Sequence, residues 1–244
     1  MIGWLIYSAV DVEKNKYYIQ MYKDKFKEHF IEIKLVIVEE LENMEQYVKC
    51  NKVDFAINRS RNHIMGELLE QKGVRVFNSS SVTRIANNKG ITYEFLKDVV
   101  PFLAVKYGNE IIESKIENKG FEYPYVIKSC SGHGGSQVFL VNNSKEDEQA
   151  VKAMNGQKYV VQQCCSDLGR DVRVYIIGNK IIKAVLRTST ESFKSNYSLG
   201  GKVQEYTLNN EEKAMVERIV DKLSLDYAGI DFTFNNGKAV FNEI

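Results

Sequence analysis

The stretch that most constrains this chain is YPYVIKSCSGHGGSQVFLV, from Tyr123 to Val141. Two apolar segments flank a loop of small residues, Gly132, Gly134 and Gly135 with Ser129, Ser131 and Ser136, and Lys128 stands at its mouth. A loop nearly free of Cβ atoms lets backbone N–H groups close around an anion. The residues after the glycines, SQVFLV, are β-branched and aromatic, so the chain continues as a strand. That excludes a P-loop and a Rossmann turn, both of which lead their glycines into a helix. The stretch is a hairpin flap, and taken alone it is either an ordinary turn or an anion cradle.

Composition sets outer limits. The chain has 244 residues, 44% of them hydrophobic and 27% charged, enough for two or three lobes with substantial cores. A formal net charge of +1 argues against a surface built to neutralise nucleic-acid phosphates. No window approaches 18 uncharged apolar residues, and MIGWLIYSAVDVEKNK has neither a basic leader nor a small-residue cleavage site. The expectation is a soluble cytoplasmic protein with neither membrane nor nucleic acid as partner. Cys50, Cys130, Cys164 and Cys165 form no C-x-x-C pattern, and His29, His63 and His133 are too few for a zinc site. They read as reduced thiols, mostly packed inside. His133, within the flap, is either a solvated turn residue or a ligand contact.

Along the first half, apolar runs at residues 2–10, 31–38, 53–58 and 74–78 read as strands. Helical patterns lie between them, at 14–30 with Tyr18, Met21, Tyr22 and Phe26 in phase, at 41–50, and at 63–73 ending on Gly73. Alternation of this kind predicts an open parallel α/β lobe, with Ser8, Asn58, Arg59 and Asn78 at the carboxyl ends where ligands sit. Arg59 and Arg61 are either solvated loop charges or carboxylate-binding groups.

The second half reads differently. SSSVTRIANNKGITYEFL holds two helical segments, the second capped near Asn87 or Asn88. Lys89 then falls in a first turn, where the helix dipole favours an anion over a cation, so a lysine there suits a neighbouring phosphate or merely sits on the surface. Pro101 ends the helix and a strand covers about 102–107. After the flap come a helix capped by Ser144 and closed by Gly156, the strand KYVVQQCC, and a hairpin over 172–188 turned at Gly178-Asn179. TSTESFKSNYSLGG has neither period and is polar, which is usual for a functional or mobile loop. The amphipathic helix NNEEKAMVERIVDKLSL follows, then two strands around Asn-Asn-Gly. Those strands carry Asp231 and Glu243 on apolar backgrounds, and two carboxylates side by side repel unless a cation lies between them.

In order, the chain presents YPYVIK, the small-residue flap, YVVQQCC, GRDVRVYIIG, FKSN…GG, AGIDF and FNEI. This combination resembles the ATP-grasp superfamily, most closely its RimK-like carboxylate–amine ligases, over residues 78–244. The resemblance implies an N-terminal domain at 1–77 preceding a two-lobed ATP-grasp fold of antiparallel sheets, with a flap subdomain at about 100–165 and a C-terminal sheet from 166. It implies that Lys89 and Lys128, with Gly134, Gly135 and Ser136, meet ATP phosphates. Gln162, Gln163, Cys164 and Cys165 would form the hinge at the adenine, the cysteines as small apolar walls, and Asp171 would hold the ribose. Arg173 and Arg187 would face the phosphates and acyl phosphate, Asn196 matches the loop asparagine, and Asp231 and Glu243 match ligands for Mg2+, with Mn2+ as a substitute. Lys194 stands where the pattern usually has Arg, which exchanges a two-pronged clamp for a point charge. The metal motif usually continues with an Asn two residues past the glutamate, whereas this sequence stops at Ile244. The expectation is a sheet truncated there, with a third metal ligand unassigned.

The implied activity is an ATP-dependent ligation of small-molecule or peptide carboxylates to amines through an acyl phosphate, releasing ADP and phosphate. The alternatives are an ATP-grasp small-molecule kinase and a nucleotide-binding module without catalysis.

Overall fold

The computed structural model describes residues 1–108, 120–132, 134–135, 137–195 and 201–244. They form two compact units, Met1–Arg84 and Ile85–Ile244.

In the first unit the chain runs β1 (Ile2–Tyr7), α1 (Ala9–Val12), α2 (Lys16–Lys27), β2 (Glu32–Ile37), α3 (Met44–Cys50), β3 (Phe55–Asn58), α4 (His63–Gln71) and β4 (Arg75–Phe77). The sheet is parallel throughout, in the order β2-β1-β3-β4. Central β1 is apolar on both faces, with Trp4, Leu5 and Ile6 fully buried, as a strand covered on both sides requires. Its core joins Trp4 and Ile6 to Val36, Ala56, Met65, Leu69 and Val76. Gly73 ends α4 at φ 81°, a conformation open to glycine.

Two expectations need correction here. The first strand stops at Tyr7, because Ala9–Val12 turns into a helix whose Ala9 N–H donates to Glu39 Oε2 at 2.8 Å. In α2 the buried residue is Ile19, with Tyr22 and Phe26 half-buried, while Tyr18 and Met21 are 60% and 48% exposed. Two overlapping helical stripes satisfied the pattern. Phe26 packing on Phe55 of β3, ring centroids 5.5 Å apart, selects one of them.

The helix α5 (Ser80–Ala86) leads on to α6 (Lys89–Leu96), β5 (Val105–Tyr107), β6 (Tyr125–Ser129), β7 (Val138–Val141), α7 (Ser144–Met154) and β8 (Tyr159–Gln163). Beyond these lie β9 (Arg170–Ile177), β10 (Lys180–Thr188), β11 (Lys202–Glu205), α8 (Asn210–Leu223), β12 (Tyr227–Asn235) and β13 (Lys238–Glu243). They make two antiparallel sheets, β5-β8-β6-β7 and β11-β10-β9-β12-β13. The flap strands pair from Tyr125↔Val141 to Lys128↔Val138, and their inner face packs with α7 through Ile127, Val141, Ala150 and Met154. Both hairpin turns take left-handed φ at the two central residues, Gly178 and Asn179 in one and Asn236 and Gly237 in the other.

α7 is capped by Asn143, whose side chain accepts from Glu146 N–H, rather than by Ser144. Asn155, at φ 48°, takes the left-handed position at its end, with Gly156 following. The strand β11 has no counterpart in the sequence pattern. KVQE is exposed along its whole length and is held by its ladder to β10, where Leu186 faces Gln204. Of the cysteines only Cys130 is buried; Cys164 and Cys165 are half-buried and Cys50 is exposed, so the thiols are less enclosed than their residue type suggests. Among the described residues no helix is long and apolar enough to cross a membrane.

Candidate active site

Strict alternation on three strands builds one side of the site. Val172, Val174, Leu186, Ile230 and Phe232 turn into the core, so Asp171, Arg173, Arg187 and Asp231 share the other face. The register sets Asp231 opposite Arg173, and Arg187 opposite Asp171. Arg173 grips Asp231 with two bonds, Nε to Oδ1 and Nη2 to Oδ2, both 2.7 Å. Arg187 grips Asp171 in the same way at 2.6 and 2.7 Å, and its Nη2 also reaches Asp231 Oδ2 at 2.9 Å. Four charges thus alternate across β12, β9 and β10. Gly229 leaves space for this, since a Cβ there would lie 3.2 Å from Arg173 Nε.

Burial works against both guanidiniums, yet Asp231 for Arg173, and Asp171 with Asp231 for Arg187, hold them above their ordinary range. Asp231 is 2% exposed. Burial pushes its carboxyl up, against the pull of Arg173 and Arg187 and with Glu243 adding to the rise. Glu243 lies opposite Asp231 in the β12–β13 register. Burial alone would raise its pKa, but Lys89, Lys128 and Arg173 outweigh that and hold it low.

The lysines close the other side. Asn88 caps α6 by accepting from Ile91 N–H at 3.2 Å, which puts Lys89 at the first helical position. Lys89 Nζ donates to Gly132 O at 2.7 Å and stands 3.5 Å from Glu243 Oε2. Lys128, 7% exposed, donates to Asn242 Oδ1 at 2.7 Å. Burial, with the like charge of Lys89, depresses its pKa to about 8 despite the opposing pull of Glu243. Lys194 donates to Gly135 O at 2.6 Å, and burial lowers its pKa as well. Its loop is drawn in at Gly169, where φ is 69° and a Cβ would fall 2.4 Å from Ser189 O.

Two cavities meet here. One, about 110 Å³, is lined by the apolar side chains of Leu103, Val126, Val138 and Leu168 together with Lys128. The other, about 160 Å³, is bordered by Asn87, Thr92, Gly132, Gly134 and Arg173. Lys89, Asn242 and Glu243 line both. Gln162, Gln163, Cys165, Asp171 and Lys194 also line the smaller one. Arg187 and Asp231 lie behind the cavity walls as partners of Asp171 and Arg173.

Several singled-out residues have unexpected partners. Both oxygens of Asp171 are engaged by Arg187. Gln162 is buried and its Nε2 donates to Tyr93 Oη at 3.1 Å, while Gln163 N–H is taken by Ala104 O at 2.9 Å. The cations beside Asp231 are guanidiniums, and the one beside Glu243 is Lys89. Arg61, in the first unit, is ion-paired to Asp11. Ser136, Asn196 and His133 lie outside the described residues.

Three contributors escaped sequence reasoning. Tyr93, one turn after Lys89, is fully buried and its hydroxyl donates to Asn242 O at 2.7 Å. Asn242 receives Lys128, and Thr233 lines the smaller cavity. Asn242 and Thr233 carried a signal, each being polar within an apolar strand beside a carboxylate; Tyr93 carried none.

A family model of the RimK-like ATP-grasp domain matches residues 86–244. An uncharacterized protein of Mycoplasma pneumoniae is 30% identical over 244 residues, covering 98% of this chain and 82% of its own length. A probable alpha-L-glutamate ligase of Vibrio parahaemolyticus is 27% identical over 213 residues, covering 85% of this chain and 62% of its own length. The crystal structure of a RimK-domain ATP-grasp protein from Sphaerobacter thermophilus shares the fold, with a TM-score of 0.75 at 19% identity over 100% of this chain and 90% of that one. The span matched by the family model holds every residue that lines the two cavities, and by that match the chain belongs to the RimK-like ATP-grasp family.

Proposed function

We propose that this protein is an ATP-dependent carboxylate–amine ligase: a carboxylate attacks the γ-phosphorus of ATP, and an amine then displaces phosphate from the acyl phosphate. The observation that carries this reading is the junction of two cavities at Lys89, Asn242 and Glu243. The smaller cavity suits a nucleotide, with apolar side chains to meet its base and Lys128 to meet its phosphates. The larger one suits the acceptor, because Arg173 and Lys89 border it and offset a carboxylate's charge as it nears the phosphorus. Asp231 orients Arg173 through two hydrogen bonds, and Asp171 does the same for Arg187. The flap glycines border both cavities and keep water from the acyl phosphate, which would otherwise hydrolyse.

The donor set suits a divalent ion that arrives with nucleotide. Glu243 is a hard oxygen donor on the wall of both cavities, and Asp231, opposite it in register, would join it only by giving up bonds that Arg173 and Arg187 make to it. Among the described residues no three His, Cys, Asp or Glu side chains are grouped to hold a metal by themselves, and Mg2+ commonly binds one or two carboxylates together with phosphate oxygens. Mg2+, or Mn2+ in its place, would supply charge neutralisation at the β- and γ-phosphate oxygens. The test is ADP release and product mass with ATP, L-glutamate and pooled amines. An amide product supports ligation. A stable phosphorylated acceptor would mean a kinase, and nucleotide binding without ADP under any pairing would mean a non-catalytic module.

A further inference from the structure

We propose that Cys165 is a covalent modification site on the wall of the nucleotide cavity, and that its capture of a disulfide or alkylating agent and the binding of nucleotide exclude one another. The proposal rests on the nucleotide reading of the 110 Å³ cavity.

Cys165 lines that cavity beside Gln163 and Leu168. The Thr233 hydroxyl donates to its sulfur at 3.3 Å. Lys128 shares the cavity and acts on the sulfur through space, and Asp171, Lys89, Glu243 and Lys194 are the other charged groups along the walls. A hydrogen bond donated to a sulfur favours its thiolate, so of the vicinal pair Cys165 ionises the more readily. In keeping with this geometry, the neighbouring Cys164 and the Thr233 hydroxyl pull the Cys165 pKa down, and Cys165 pushes that of Cys164 up. Neither of the other thiols shares the setting: Cys50 is exposed on α3, and burial raises Cys130.

With a small disulfide, the Cys165 thiolate attacks one sulfur; a new S–S bond forms, the old one breaks, and the second sulfur leaves as a thiolate. With iodoacetamide a C–S bond forms and iodide leaves. Cys164 does not resolve the mixed disulfide, because neighbouring residues do not meet ordinary disulfide geometry, so the adduct persists until a small thiol reverses it. Because Cys165 lines the cavity, an adduct on its sulfur projects into the space that the nucleotide fills.

The test uses the full chain, limiting iodoacetamide, and mass-spectrometric mapping of all four cysteines over time, with nucleotide binding followed separately by thermal shift. Cys165 should react several-fold faster than Cys164, the gain in thiolate being partly offset by lower nucleophilicity. ATP with Mg2+ at about ten times its Kd should slow Cys165 about tenfold and leave Cys50 unchanged. Alkylated protein should lose its thermal response to nucleotide. Cys50→Ser should not alter that loss, and Cys165→Ala should make its own response, whatever its size, insensitive to the reagent. Nucleotide that stabilises the protein without slowing Cys165 would overturn the proposal and leave the nucleotide reading standing. Absence of any thermal response would overturn both, and equal rates at Cys164 and Cys165 would overturn the assignment of the reactive sulfur.

Discussion

Replacing Lys128 by Met separates the cost of the site from its use. The Lys128 ammonium is buried on β6, and its pKa falls from 10.5 to about 8. At about 1.4 kcal/mol per unit, keeping it charged at neutral pH costs the fold about 3 kcal/mol. Methionine has similar volume and no charge, but gives up the hydrogen bond to Asn242 Oδ1, worth about 1 kcal/mol. Lys128→Met should therefore stabilise the nucleotide-free protein by about 2 kcal/mol at pH 7, a rise of roughly 4–8 °C in Tm. The sign with pH follows from proton counting. Between pH 8 and 10.5 the unfolded chain holds a proton on Lys128 that the folded one has released, so wild-type stability rises across that window and the advantage of the variant shrinks. Nucleotide phosphates favour the charged lysine, so wild-type affinity should weaken above pH 8, by up to about tenfold per unit. Calorimetry of both proteins from pH 7 to 10, with and without ATP, reads all three effects. A variant less stable than wild type at pH 7, or one that ATP stabilises as strongly, would refute the reasoning.

Other substitutions probe other elements. Arg187→Ala leaves Asp171 and Asp231 with part of their charge unpaired in a buried setting, and should cost about 3–5 kcal/mol in chemical denaturation. Tyr93→Phe removes both the bond to Asn242 O and the acceptor of Gln162 Nε2, costing about 2 kcal/mol, and by loosening the end of β13 and the hinge strand β8 should lower kcat and weaken nucleotide binding. Ile19→Ala should destabilise the protein by about 2–5 kcal/mol whereas Met21→Ala should be nearly neutral; the reverse order would contradict the phase of α2. Asn209→Ala breaks the capping box of α8 and should lower stability by about 1 kcal/mol with no change in turnover.

Much of the fold is carried by local sequence. The strand–helix alternation of the first unit, the two hairpin turns and the start of α6 at Asn88 follow from hydrophobic period, turn residues and caps, which act within a few positions. The polar face of the large sheet was also readable, because D-V-R-V and I-D-F-T-F alternate in step with the strand period. β11 was hidden because KVQE has no apolar face; only the neighbouring β10 makes it a strand. The phase of α2 was hidden because two stripes fit equally well until Phe55 was beside it.

For the site, the sequence by itself singled out Lys89, Lys128, Asp231 and Glu243 by residue type and place, and Asp171, Arg173 and Arg187 came from the resemblance to the family. Only the tertiary structure decided which charges meet. Arg173 and Asp231 are 58 residues apart in the chain, and Arg187 and Asp231 are 44 apart, so their contact depends on strand register. The same holds for Lys128 and Asn242, 114 residues apart, whose contact lies within the buried setting that depresses the lysine's pKa. Short-range pattern selects elements because hydrogen bonding and side-chain period are local. Burial and Coulomb energy depend on distances in space, and those exist only once the sheets have formed.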